Sequence, residues 1–114
     1  MPHLSGGKVR ALGVGNPTRS SMLPNVPTIA ESGLPGYEAY SWSGVMAPKG
    51  TPPDIVKRMN ADMVKVLSDP ATAKGMIAAG AEPKPGTPEQ FGEFVRNEIV
   101  KWRDLIKTAN IKLE

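Results

Sequence analysis

From Thr51 onward, apolar residues return every three or four positions. In "TPPDIVKRMNADMVKVLSD", Val56, Met59, Met63, Val66 and Leu67 form one stripe, the mark of an amphipathic helix. Thr51 is its expected N-cap. Pro52 sits in the first turn, where its missing N–H costs nothing, and Asp54 lies three residues after the cap. A second helix restarts at Asp69-Pro70 as "PATAKGMIAAG", with Gly80 as its left-handed C-terminal cap. A third, "TPEQFGEFVRNEIVKWRDLIKTAN", repeats the start with Thr87, Pro88 and Gln90. Its expected buried face carries Phe91, Phe94, Val95, Trp102, Leu105, Ile106 and Ala109, with Ile99 close to that face and Asn110 closing the helix.

The first half has a different pattern. "KVRALGVG", Lys8 to Gly15, is short and apolar on both faces, which predicts an interior strand covered above and below. "NPTRSSMLPNVP" reads as a loop. Thr28 and Glu31 form a capping box, yet Gly33 stops that helix after about one turn. "YEAYSWSGVMA", Tyr37 to Ala47, predicts a second strand with Tyr40 and Trp42 on one face, and Ala81 to Lys84 is a candidate third extended piece. The expectation is therefore an α/β chain of two or three strands and four helices.

Composition narrows this further. A chain of 114 residues suits one compact domain, and 39% hydrophobic with 22% charged residues suits a globular one. Aromatic residues make up only 5%, so Val, Ile, Leu, Met and Ala must build the core. The net charge of +3 and pI near 9.3 raise the question of nucleic acid. Lys and Arg are scattered singly among Asp and Glu, with no cluster beside an aromatic platform, so no nucleic-acid partner is expected. The chain has no cysteine, which excludes disulfides and thiolate chemistry. It has no apolar run of the roughly 18 residues that a membrane span needs. The start, "MPHLSGGKVR", lacks the apolar stretch of a secretory signal.

Catalytic chemistry has little to stand on. The one histidine, His3, lies near the chain start and is expected in solvent, so no Ser-His pair forms around a central site. No set of Cys, His and carboxylate residues has metal-ligand spacing. "SGGKVRALGVG" is glycine-rich but lacks the Lys-Ser/Thr signature of a phosphate loop, and it precedes the strand instead of following it. Glu31, Glu38, Asp54 and Asp62 fall at caps or on polar faces. Neither an enzyme nor a cofactor is expected.

Several segments resemble a known family in order, spacing and residue class over nearly the whole chain. They are "GGKVRALGV", "LPNVPTIAESGLPGYEAYSWSGVMAPKGTP", "ADMVKVLSDP" and "GAEPKPGTPEQFGEFVRNEIVKW". The most specific is the P-x-V-P-T-x-x-E-x-G block at Pro24–Gly33, followed by Ser41-Trp42 and by A-P-x-G-T-P at Ala47–Pro52. The chain resembles the C-terminal part of the substrate-binding proteins of tripartite tricarboxylate transporters, the Bug-type extracytoplasmic receptors.

That resemblance implies a partial periplasmic-binding-protein-like (type II) fold, part of a two-lobed receptor that closes over its ligand by a hinge. Residues 1–47 would be the end of the second lobe and a crossover strand, and residues 48–114 a helical part packing on the first lobe. It implies a small carboxylate ligand, a membrane permease as partner and a periplasmic location. It also implies that the start matches an interior P-H-x-x-x-G-K of the family. Ser41, Trp42 and Ser43 would approach the cleft, where N–H groups and hydroxyls take a carboxylate. Tyr40 and Trp42 are also readable as ordinary sheet core, and Glu31 as a cleft-facing acid or simply the capping-box partner. The isolated chain, with open strand edges, is expected to self-associate as a homo-oligomer. A free-standing dimeric interaction module without ligand is the alternative.

Overall fold

Three helices longer than one turn dominate the computed structural model, which describes residues 2–112. A single turn, α1 (Pro2–Ser5), comes first, followed by α2 (Pro53–Leu67), α3 (Pro70–Ala78) and α4 (Pro88–Thr108). The chain divides into two units. One holds the chain up to Met46 together with Ile77–Ala81; the other holds Ala47–Met76 and the chain from Glu82 on.

Local chemistry explains the helix ends. Thr87 caps α4 with a complete capping box: Gln90 N donates to Thr87 Oγ1 at 3.2 Å, and Thr87 N donates to Gln90 Oε1 at 2.9 Å. Asp69 caps α3, its Oδ2 accepting from Thr72 N at 2.8 Å and from Thr72 Oγ1 at 3.0 Å. These donors hold the Asp69 carboxyl below its usual pKa, the Thr72 N–H first. Gly80 and Asn110 take the left-handed conformation that follows a helix, at φ 91° and 51°.

The start of α2 differs from expectation. Pro52, not Thr51, is its N-cap, and no side chain caps it. Thr51 Oγ1 instead donates to Pro48 O at 2.8 Å, backward into the preceding turn. A proline at the N-cap offers no side-chain acceptor, and Ile55 N donates to Pro52 O at 3.1 Å instead.

α2 and α4 pack on each other. Asn60 Nδ2 ties α2 to the loop before α4 by donating to Gly86 O at 2.9 Å. On α4, Phe91, Phe94, Val95 and Ile106 are half-buried, and the rings of Phe91 and Phe94 stack with centroids 6.4 Å apart. The face loses its cover farther on: Trp102 is 40% and Leu105 48% exposed, against the expectation that both are buried. Between these halves lies Glu98, only 8% exposed, whose carboxylate accepts from Trp102 Nε1 at 2.9 Å and pairs with Lys101.

The expected strands are a second correction. Among the described residues the only ladder contact is one parallel bridge, Val14 with Thr28. Val14 N donates to Pro27 O at 3.0 Å and Ile29 N to Val14 O at 2.9 Å; on the other side Ala39 N donates to Gly15 O at 3.0 Å. No other strand bridge is formed by Lys8–Gly15, Tyr37–Ala47 or Ala81–Lys84 among the described residues. A strand apolar on both faces needs neighbours at both edges and layers above and below, and a single bridge is not such a ladder. The backbone approach is nonetheless close: a Cβ on Gly15 would run into Ala39 O, so only glycine fits there. The expected short helix at Thr28 is a turn, with Ser32 N donating to Thr28 O at 3.1 Å.

Candidate functional site

A hydrogen-bonded polar cluster of the first unit grows from the P-x-V-P-T-x-x-E-x-G block. Thr28 is its centre and the most buried of the described residues, at 2% exposure. Its Oγ1 accepts from Glu31 N at 3.0 Å, and its own N–H donates to Glu31 Oε2 at 2.8 Å, so the capping box forms around a single turn. Ser32 Oγ adds a bond to Thr28 O at 2.8 Å.

Arg19 closes the cluster from twelve residues away. Its Nε donates to Glu31 Oε2 at 3.0 Å and to Oε1 at 3.3 Å, and its Nη1 reaches Pro24 O at 3.4 Å. The guanidinium thus fastens the loop between Arg19 and Pro24 to the turn at Thr28–Glu31. The Thr28 N–H and then Arg19 hold the Glu31 carboxyl below its ordinary pKa, so it is an anion at neutral pH. Glu31 is therefore engaged by its own turn and by Arg19. Arg19 had no local signal in the sequence, because a pair twelve residues apart follows no helical or strand spacing.

Ser41, Trp42 and Ser43 lie on the irregular stretch that follows Ala39, anchored at its start by the Ala39–Gly15 bond. All three are exposed, Trp42 at 37%. They sit together by adjacency in the chain, with two hydroxyls flanking an indole. Tyr40, just before them, is half-buried. His3 is exposed, and no group of three His, Cys, Asp or Glu residues able to hold a metal occurs among the described residues.

Two open hollows lie among the described residues. In the first unit, Leu4, Val9, Ala11, Met22, Leu23 and Val26 line one, with Arg10 beside them. In the second, Met63, Val66 and Leu67 of α2 line the other, with Asp62. Both are walled by aliphatic side chains and are suited to receive apolar groups. No helix of the described residues is long and apolar enough to cross a membrane.

Comparison with known proteins places these features in context. Residues 1–111 match the family described as the tripartite tricarboxylate transporter family receptor. A protein from the tcbD-tcbE intergenic region of Pseudomonas sp. strain P51 is 43% identical over 100 residues, covering 87% of this chain and 30% of that protein. Protein BugT of Bordetella pertussis is 37% identical over 114 residues, covering 100% of this chain and 35% of that protein. Among solved structures, R. palustris Rpa4515 with adipate matches at TM-score 0.78 and 40% identity, over 96% of this chain and 37% of that one. The periplasmic binding protein BugD matches at TM-score 0.77 and 33% identity, over 99% of this chain and 38% of that one. The chain thus spans about a third of the length of these relatives.

Proposed function

Because the chain belongs to the tripartite tricarboxylate transporter receptor family, we propose that it forms part of a receptor that captures a small carboxylate and delivers it to a membrane permease. The family is one of receptors, not enzymes. The observation that carries the reading is the match to the R. palustris protein solved with adipate, at 40% identity over 96% of this chain. Residues 1–47 contribute the end of the second lobe and the crossover, and residues 48–114 pack on the first lobe. Matched solved structures include a periplasmic transporter and a periplasmic binding protein, which supports a periplasmic site of action.

In this reading Ser41, Trp42 and Ser43 face the cleft. The hydroxyls and backbone N–H groups of such a stretch suit a carboxylate, and the indole suits the hydrocarbon behind it. Their exposure here is consistent with that reading. The Arg19–Glu31–Thr28 cluster is a scaffold that fixes the neighbouring loop, and Glu31 does not bind ligand.

The test is a chimera in which this chain replaces the matching segment of the R. palustris protein. Replacing Ser41 and Ser43 with Ala together should weaken adipate binding about ten-fold or more, at unchanged melting temperature, because each lost bond to an anion is worth about 1.5–3 kcal/mol. Unchanged affinity would remove both serines from the site. A second reading, a free-standing dimeric module without ligand, draws on the absence of buried hydrophobic side chains among the described residues. In that case the isolated chain is a stable homo-oligomer, and the chimera does not bind adipate.

A further inference from the structure

The most buried of the described residues is not an apolar one but Thr28, in a turn. Burying a threonine is costly unless its polar groups are bonded, and here each has a partner. Thr28 N donates to Glu31 Oε2, Thr28 Oγ1 accepts from Glu31 N, and Thr28 O accepts from Ser32 N and Ser32 Oγ. These bonds all close within the turn. The residues on either side of Thr28 bond elsewhere. Pro27 O accepts from Val14 N at 3.0 Å and Ile29 N donates to Val14 O at 2.9 Å, the pattern a parallel bridge requires.

Val14 passes that constraint to a third segment. Gly15 O, one residue on, accepts from Ala39 N at 3.0 Å, and only the missing side chain allows this approach, because a Cβ would run into Ala39 O. Gly13, on the other flank of Val14, is close too: a Cβ there would stand 3.2 Å from Ile29 Cγ1. The stub Gly13–Gly15 is thus held between the Thr28 turn and Ala39. Ala39 precedes Ser41 by two residues, at most about 7 Å of backbone. Tyr40, between them, is half-buried. All of these residues belong to the first unit. Where Ser41 stands is therefore coupled to whether the turn around Thr28 is closed.

We infer that Thr28 and Glu31 are positioning residues for Ser41–Ser43: their closed turn fixes Val14–Gly15, and Gly15 fixes the chain at Ala39. Arg19 strengthens the closure from outside, since its Nε bonds the same Glu31 oxygen that holds Thr28 N. Opening the turn spreads Ser41, Trp42 and Ser43 over many arrangements. The apparent affinity of a site falls with the fraction of time it spends in the competent one. The inference rests on the reading of Ser41, Trp42 and Ser43 as the carboxylate-facing stretch, and adds that their placement is set from Thr28. A turn that closed only its own loop would leave Ala39 untouched.

The first arm of the test measures amide exchange in this chain. Glu31→Ala removes the acceptor of Thr28 N and the partner of Arg19 without emptying a buried space, since Glu31 is exposed. Exchange at Ile29 and Ala39 should accelerate about five-fold, as for a lost hydrogen bond, while α4 amides keep their rates. Glu31→Gln retains an acceptor there and should restore the wild-type rates. Thr28→Val and Thr28→Ser form a second such pair at the hydroxyl. A wild-type rate at Ala39 in Glu31→Ala or Thr28→Val, or equal acceleration in α4, overturns the inference. The second arm measures adipate affinity in the chimera by calorimetry. Glu31→Ala should weaken binding at least about three-fold. Its effect should be clearly smaller where Ser41 and Ser43 are already Ala, because the turn acts through that stretch. No loss from Glu31→Ala, or an equal loss on that background, overturns the inference. Unchanged affinity on replacing both serines removes the carboxylate reading instead, and Ala39 exchange then decides whether the turn holds the stretch.

Discussion

Two threonines at similar positions before helices should respond differently to the same substitution. Thr87→Ala removes the Oγ1 that accepts from Gln90 N, while the reciprocal bond from Thr87 N to Gln90 Oε1 survives. A lost N-cap acceptor costs about 0.5–2 kcal/mol. Here the bond is 3.2 Å long and exposed, so water replaces part of it and about 1 kcal/mol is expected. That energy is local, because α4 continues for 21 residues and only its first turn frays. Hydrogen exchange at the Gln90 amide should therefore accelerate about five-fold, since about 1.4 kcal/mol corresponds to ten-fold. Amides near the middle of α4 should change far less. Thr51→Ala removes only a bond to Pro48 O in the preceding turn, and exchange in α2 should stay at its wild-type rate. Equal acceleration in both helices, or none at Gln90, would refute the assignment of Thr87 as the cap that matters.

Gly15→Ala should break the bond between Ala39 and Gly15, because the new Cβ meets Ala39 O; loss of Ala39 amide protection measures it, and retained protection would mean the two segments are not held this closely. Glu31→Gln should be nearly silent for stability, under about 1 kcal/mol in a chemical melt, since Gln still accepts from Thr28 N and the Arg19 pair is exposed. The pH dependence of this turn follows from the lowered Glu31 pKa: its stabilisation is full above the ordinary value of 4.5 and is lost as pH falls through the lower folded value. A Thr28 amide that keeps its protection well below that range would contradict it. The isolated chain should bind succinate, citrate or adipate no better than about millimolar by calorimetry, because one wall of a cleft leaves a carboxylate partly in water. Micromolar binding would mean that the site is complete within these residues.

Most of the second half of the chain was legible from the sequence because a helix is bonded within itself. The capping box of Thr87 and Gln90, the stripe of α2 and the left-handed residues at Gly80 and Asn110 all act over three or four residues. The family block at Pro24–Gly33 was legible for the same reason, since its Thr28–Glu31 turn closes locally. The tertiary structure decided what distance in the chain conceals. It brought Arg19 to Glu31 and left Trp102 partly open, although the helical pattern ranked Trp102 with the core. It also decided that, among the described residues, Lys8–Gly15 and Tyr37–Ala47 form no strand ladder beyond the bridge at Val14. Their composition asks for strands, but a strand's hydrogen bonds are all made to other segments, which local composition does not reveal.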